Sequence, residues 1–216
     1  MLNDASHLPP PVPEMKTALG DLELYLHRAD DSCPLLVRLA FIHYQFEAIH
    51  PFVDGNGRIG RLLLALLLVE WGLLPLPLLY LSAYFERNRE AYYAGLSAVS
   101  KRGAWREWVV YFLSGVREQS LDAVVRLRKL ADLREQWREQ AMRVRHSAVP
   151  VRLVEQLFET PTVTIAMIGR RLGITYPSAK RNVLRMVGAG VLQPLGEATY
   201  GQAFGAMEIF RLLEEE

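Results

Sequence analysis

Twelve consecutive residues, His50-Pro51-Phe52-Val53-Asp54-Gly55-Asn56-Gly57-Arg58-Ile59-Gly60-Arg61, concentrate side chains that can do chemistry. Two glycines flank Asn56 just ahead of a long apolar run. Exposed backbone N–H groups then meet the positive end of a helix dipole, which makes an anion site. Glycine permits the close backbone approach that a phosphate needs, Asn56 can donate a side-chain amide, and Arg58 and Arg61 carry delocalised cations suited to phosphate oxygens. His50 stands six residues before Asn56, and an imidazole there can serve as a general base. Asp54 lies between them, placed to hold Mg²⁺ against the phosphates. The bland alternative is a glycine-rich turn between helices with a capping Asp and surface arginines. The joint spacing of His, Asp and two Arg favours the chemical reading.

The elements that must position this loop read as helices. After prolines at 9, 10, 11 and 13 that favour an extended start, Met15, Leu19, Leu22 and Leu26 recur at helical spacing. Asp30-Asp31-Ser32-Cys33-Pro34 supplies caps and a proline for a helix running to about Ile49. Residues 50–55 read as irregular, and 59–71 as a central, fully buried helix with Phe52 and Ile59 as core anchors. The most apolar run, 62–81, is interrupted by Glu70, Pro75 and Pro77, so it is expected in the core rather than across a membrane. Helices are also expected over 84–99 and 105–119, followed by a long amphipathic helix over 116–145. His27 and His43 lie on helical stretches and read as structural rather than metal-binding.

Composition bounds the class. In 216 residues, 50% are hydrophobic and 23% charged, enough apolar surface for a folded core and too much for a disordered chain. The single Cys33 forms no internal disulfide. Residues 1–13, with Asp4, His7 and four prolines, lack the pattern of a signal peptide, so a cytoplasmic setting is expected. Net charge is +1, without a broad basic field.

Three parts are read: a core over 1–115, a linking helix over 116–145 packed on it, and a tail over 146–216. In the tail, 164–175 reads as a helix ending at the Leu172-Gly173-Ile174 turn and 176–189 as a second helix, a helix-turn-helix spacing. Gly190-Val191-Leu192, Gly196 and the stretch from Tyr200 to Phe204 suggest a two-stranded wing. The second helix offers Ser178, Lys180, Arg181, Asn182 and Arg185, with Arg170 and Arg171 nearby and no acid between Thr160 and Gly196. Those groups suit DNA phosphates and base edges. The tail as a whole is neutral, however, so protein docking remains the alternative.

The loop and its surroundings resemble the Fic family. Residues 50–61 fit the Fic motif HPFx[DE]GNGRxxR at every specified position. Pro9 to Pro13, Ala40 to Ile49, Leu79-Tyr80-Leu81-Ser82, Asn88 to Tyr93 and Trp105 to Leu113 look like that family's helical core, over residues 9 to about 145. The tail resembles the winged helix carried by many Fic proteins. The resemblance implies a mainly α fold: a Fic-type helical core, a long helix and a small winged-helix (α+β) domain.

It also implies a protein adenylyltransferase that moves AMP from ATP to a hydroxyl side chain of a target protein. His50 would be the general base and Asp54 the ligand of Mg²⁺. Gly55, Asn56 and Gly57 would form the anion hole, with Arg58 and Arg61 on the phosphates and Tyr93 beside the adenine. Ser100 stands where some members place an adenine-contacting Asn. The family's β-hairpin flap precedes the proline segment, where eight residues stand in this sequence: either the chain is a fragment or it begins after the flap, and in the second case the resemblance implies impaired target docking. No inhibitory [ST]xxxE[GN] motif is found in this sequence, where Ser82 to Glu86 is followed by Arg87; if the chain is complete, the resemblance leaves Arg61 for the γ-phosphate unless a partner supplies a glutamate in trans. Other classes stay open: a DNA-binding regulator or docking module with a secondary Fic site, transfer or removal of another phosphate-containing group, and homodimerisation through helical faces such as 116–145.

Overall fold

The computed structural model describes residues 9–28, 32–143, 148–196 and 201–214. The readings made on Asp4, His7, Asp30, Asp31, the boundary near 146 and Tyr200 fall outside those residues. The chain divides into two compact units, Met1–Ala123 and Val124–Glu216.

The first unit begins with α1 (Val12–His27), which starts at Pro11 with a second proline in its first turn, where a missing N–H costs nothing. α2 (Leu35–Ile49) follows Pro34. It is the central helix: Leu39, Ala40, Ile42, His43, Phe46 and Ile49 are all buried. Trp108 and Phe112 of α6 (Trp105–Met142) cover it, and Trp108 donates its indole N–H to Ala40 O at 2.8 Å. Arg38 is also buried. Its guanidinium donates to the carbonyls of Tyr25, Leu26 and Arg28 at the end of α1 and faces the rings of Tyr25 and Trp71. It thereby supplies the cation that a helix C-terminus favours.

α3 (Asn56–Glu70) corrects the expectation of a fully buried helix. Gly60, Leu64, Leu67 and Leu68 face the core, whereas Leu62 and Leu66 are 57% and 58% exposed. Its apolar composition exceeds what one covered face can bury. The apolar run beyond it is likewise not all core, since Leu73, Leu76, Leu78 and Tyr80 are exposed. Two further boundaries differ. The helix expected over 84–99 is two helices, α4 (Leu81–Arg87) and α5 (Arg89–Arg102), broken at Asn88, whose amide donates to Tyr84 O at 2.9 Å. The helices expected over 105–119 and 116–145 are the single 38-residue α6, because no proline separates them.

The second unit packs Trp137 and Ala141 of α6 with α7 (Val149–Glu159), α8 (Ile165–Leu172) and α9 (Tyr176–Gly188) around Leu153, Leu157, Ile168 and Val183. β1 (Thr162–Thr164), β2 (Gln193–Leu195) and β3 (Ala203–Gly205) form an antiparallel sheet in the order β1-β3-β2. Val163 and Pro194 both stand opposite Phe204. Pro194 is tolerated because β2 is an edge strand. α10 (Met207–Glu214) closes the unit. Among the described residues no helix is long and apolar enough to cross a membrane.

Candidate functional site

The loop between α2 and α3 is built by three local devices. α2 ends at His50 in the left-handed conformation (φ 49°, ψ 57°), the one non-glycine residue with positive φ among the described residues. A side chain there costs about 1–2 kcal/mol relative to the right-handed region. Gly55, at φ 86°, then turns the chain into the first turn of α3. The next residue, Asn56, 2% exposed, clamps the loop on itself: its Nδ2 donates to Phe52 O at 2.7 Å and its Oδ1 accepts Phe52 N–H at 2.9 Å.

One N–H of the Asn56 side-chain amide thus serves the loop itself. Phe52 and Ile59 are not core anchors. They are 47% and 36% exposed, and Phe52 is secured through its backbone and through a ring contact with Phe46 at 6.5 Å between centroids.

At the start of α3 no side chain caps the helix. The first N–H groups of any helix lack an intrahelical acceptor, and here no capping side chain supplies one. The two motif arginines bend back over this end. A Cβ on Gly57 would stand 3.0 Å from Arg61 Nη1, and one on Gly55 would stand 3.4 Å from Arg58 Nη2. Glycine thus leaves room for guanidinium groups above open amides, an arrangement that attracts anions. Asp54 accepts a bond from Arg58 Nη2 at 3.2 Å and is 90% exposed along its side chain.

Arg58 and Arg61 also line a pocket of about 350 Å³ with Leu62, Pro77, Leu79, Tyr80 and Ser82 among its walls. His50, Asp54, Gly55, Asn56, Gly57 and Tyr93 are not among its lining residues. Sequence reasoning had no means of linking Tyr80 and Ser82 to the arginines, since the turn after α3 brings them there. Tyr93 is 53% exposed, its ring meeting Tyr92 edge-on at 5.2 Å and lying beneath Arg89 at 5.8 Å. Ser100 bonds to the Tyr44 hydroxyl at 2.9 Å.

Behind the loop, His43 Nε2 and the Tyr92 hydroxyl are 3.0 Å apart. Burial, aided by the charge of Arg61, lowers the His43 pKa to about 3, so the imidazole is neutral at ordinary pH. Burial, with Glu47 adding to it, pushes the Tyr92 hydroxyl far above the usual phenol range. The pair is thus uncharged, with the His43 ring stacked on Phe85 and Trp108 and tilted against Phe112.

Residues 2–68 match the model of the Fic/DOC family. The chain is 34% identical over 103 residues to a probable protein adenylyltransferase of Aquifex aeolicus, a match covering 48% of this chain and 32% of that protein. It is 32% identical over 117 residues to the protein adenylyltransferase Fic of Drosophila melanogaster, covering 54% of this chain and 22% of that protein. The matched part thus spans about a third or less of each relative's length. A crystal structure of a Fic family protein from Desulfovibrio desulfuricans shares the fold, with a TM-score of 0.50 and 22% identity, covering 93% of this chain and 57% of that one.

Proposed function

We propose that this chain is a protein adenylyltransferase, transferring AMP from ATP to a hydroxyl side chain of a target protein. The observation that carries this reading is the pairing of His50 at the left-handed end of α2 with two arginines folded over the open amides of Gly55–Arg58. The printed names of the relatives point the same way.

In this reading the target hydroxyl oxygen attacks the α-phosphorus, the bond from that phosphorus to the bridging oxygen of the β-phosphate breaks, and pyrophosphate leaves. His50 accepts the hydroxyl proton, so the nucleophile gains charge as the new bond forms. The helix entrance and Arg58 hold phosphate oxygens, Arg61 holds the terminal phosphate, and Tyr93 borders the base. Positioning and charge stabilisation account for most of such a reaction.

Asp54 fits a Mg²⁺ ligand: it is an exposed carboxylate in the same loop as the arginines, held by a solvent-accessible pair with Arg58. Among the described residues no three His, Cys, Asp or Glu side chains cluster. A single carboxylate with nucleotide phosphates and waters is the usual way that Mg²⁺ is bound. Bound there, it neutralises phosphate charge.

The test is incubation of wild type and a His50→Ala variant with Mg²⁺ and ATP labelled at either the α- or the γ-phosphate, in the presence of lysate. The expected result is covalent label that depends on His50 and comes from the α-position alone. Label from the γ-position that is likewise lost in the variant would instead indicate phosphoryl transfer and overturn the reading.

A further inference from the structure

The second unit carries a surface that the proposed nucleotidyl transfer does not use. Its elements run helix, strand, helix, helix, strand, strand, as α7, β1, α8, α9, β2 and β3. Three residues, 173–175, separate α8 from α9, with Gly173 at φ 64° making the turn. α9 is anchored by one face: Ala179, Val183 and Met186 are buried with Ile168 and Leu172 of α8. Its opposite face presents Pro177, Lys180, Arg181, Leu184 and Arg185, all exposed, and Arg170 of α8 is exposed nearby.

Among the described residues the charge on this surface has no carboxylate partner. From Thr160 to Gly196 the sequence holds five cations and no acid. Among the described residues, Arg134 pairs with Glu155 and Arg211 with Glu208, yet no carboxylate lies within ion-pair distance of Arg170, Lys180, Arg181 or Arg185. The structure also removes two groups from the set. Arg171 is turned onto Gln156 Oε1 and Thr160 Oγ1, and Asn182 is buried with its amide donated to Ser178 O at 2.8 Å.

We infer that this unit binds double-stranded DNA by laying α9 in the major groove, with Arg170, Lys180, Arg181 and Arg185 on phosphates and guanine edges. The proposal is independent of the nucleotidyl-transfer reading. A helix about 10–12 Å across fits a groove about 12 Å wide. Lys180, Arg181 and Arg185 lie within about 7.5 Å along the helix axis, so they face neighbouring phosphates together. Thr175 leaves the first amides of α9 without a side-chain cap, and phosphate is the usual partner of such a helix entrance. A convex, rigid helix gives an acidic peptide no groove to enter, whereas the duplex supplies one. With few groups able to read base edges, the affinity comes mainly from the backbone and depends steeply on salt.

The test uses the full chain and a fluorescein-labelled duplex of mixed sequence, about 24 base pairs long so as to exceed two helical turns, with no ATP present. Anisotropy is followed from about 50 to 300 mM salt for wild type, for the combined Lys180→Ala, Arg181→Ala and Arg185→Ala variant, and for Arg134→Ala as a charge control. Circular dichroism checks that each is folded. The expected result is wild-type binding whose salt slope becomes shallower by about 2–3 in the triple variant, with an affinity loss of about tenfold or more and little change in the control. Three results would overturn the inference: no binding by folded wild type at the lowest salt, equal binding by the triple variant, or displacement of the duplex by polyglutamate at equal charge concentration. The last would assign the face to an acidic protein.

Discussion

Asn56 holds both backbone groups of Phe52, its Nδ2 donating to the carbonyl and its Oδ1 accepting the N–H, so that one buried side chain sets the shape of the loop between His50 and Arg61. Asn56→Ala removes both bonds and strands the amide and carbonyl of Phe52. The expected cost is about 1–3 kcal/mol in urea unfolding. Nucleotidyl transfer should fall further than stability, because the open end of α3 loses its approach path. A variant that unfolds at the wild-type midpoint would show that the clamp contributes nothing.

Asp54 separates stability from chemistry. Its pair with Arg58 is exposed on both sides, and such pairs contribute about 0–1 kcal/mol at most. Asp54→Asn should leave the melting temperature nearly unchanged while abolishing Mg²⁺-dependent labelling from α-labelled ATP. Retained labelling would remove Asp54 from the proposed machinery.

Two glycines in helices predict opposite signs. A Cβ on Gly20 in α1 would meet no atom within 4 Å, whereas one on Gly115 in α6 would stand 2.5 Å from Tyr84 Cδ1, a buried ring. Gly20→Ala should stabilise by about 0.5–1 kcal/mol through a smaller loss of backbone entropy. Gly115→Ala should destabilise by about 1–3 kcal/mol despite the same propensity gain, since the ring must move. Denaturant midpoints of the two variants should bracket the wild type.

His43 makes the fold acid-sensitive. Its pKa is about 3 in the folded chain and about 6.5 in the unfolded one. Between those values the unfolded chain takes up a proton that the folded chain refuses. Stability is therefore lost as pH falls through this window, at up to about 1.4 kcal/mol per pH unit from this one group. His43→Gln keeps a polar partner for Tyr92 and removes the titration. The two proteins should diverge in unfolding free energy as pH drops below about 6, and parallel curves would refute the argument.

The sequence made the ends of elements legible where proline and glycine mark them. Pro11, Pro34, Gly55, Gly103 and Gly173 all sit at helix boundaries, where restricted φ or a left-handed turn forces a choice. The break at Asn88 carries no such mark, and it was missed. Composition also misjudged α3, because a run of leucines states how much apolar surface exists and not which neighbours cover it. The partners of Asn56 and Asn182 were hidden for another reason: an amide serves a ligand or its own backbone equally well, and only the fold decides. The His43–Tyr92 contact bridges 49 positions, and β1, three residues long, is specified by β3 far downstream; no local pattern encodes either.

Under the proposed function, the left-handed backbone at His50 makes this position a place where folding and activity compete. His50→Gly would relieve the conformation and raise the melting temperature, by the equivalent of up to about 1 kcal/mol, in the same step that removes the proposed base. Selection for robustness alone would favour glycine here. A more durable but inert variant at this one site would therefore measure, in units of stability, what the loop sacrifices to keep an imidazole at the end of α2.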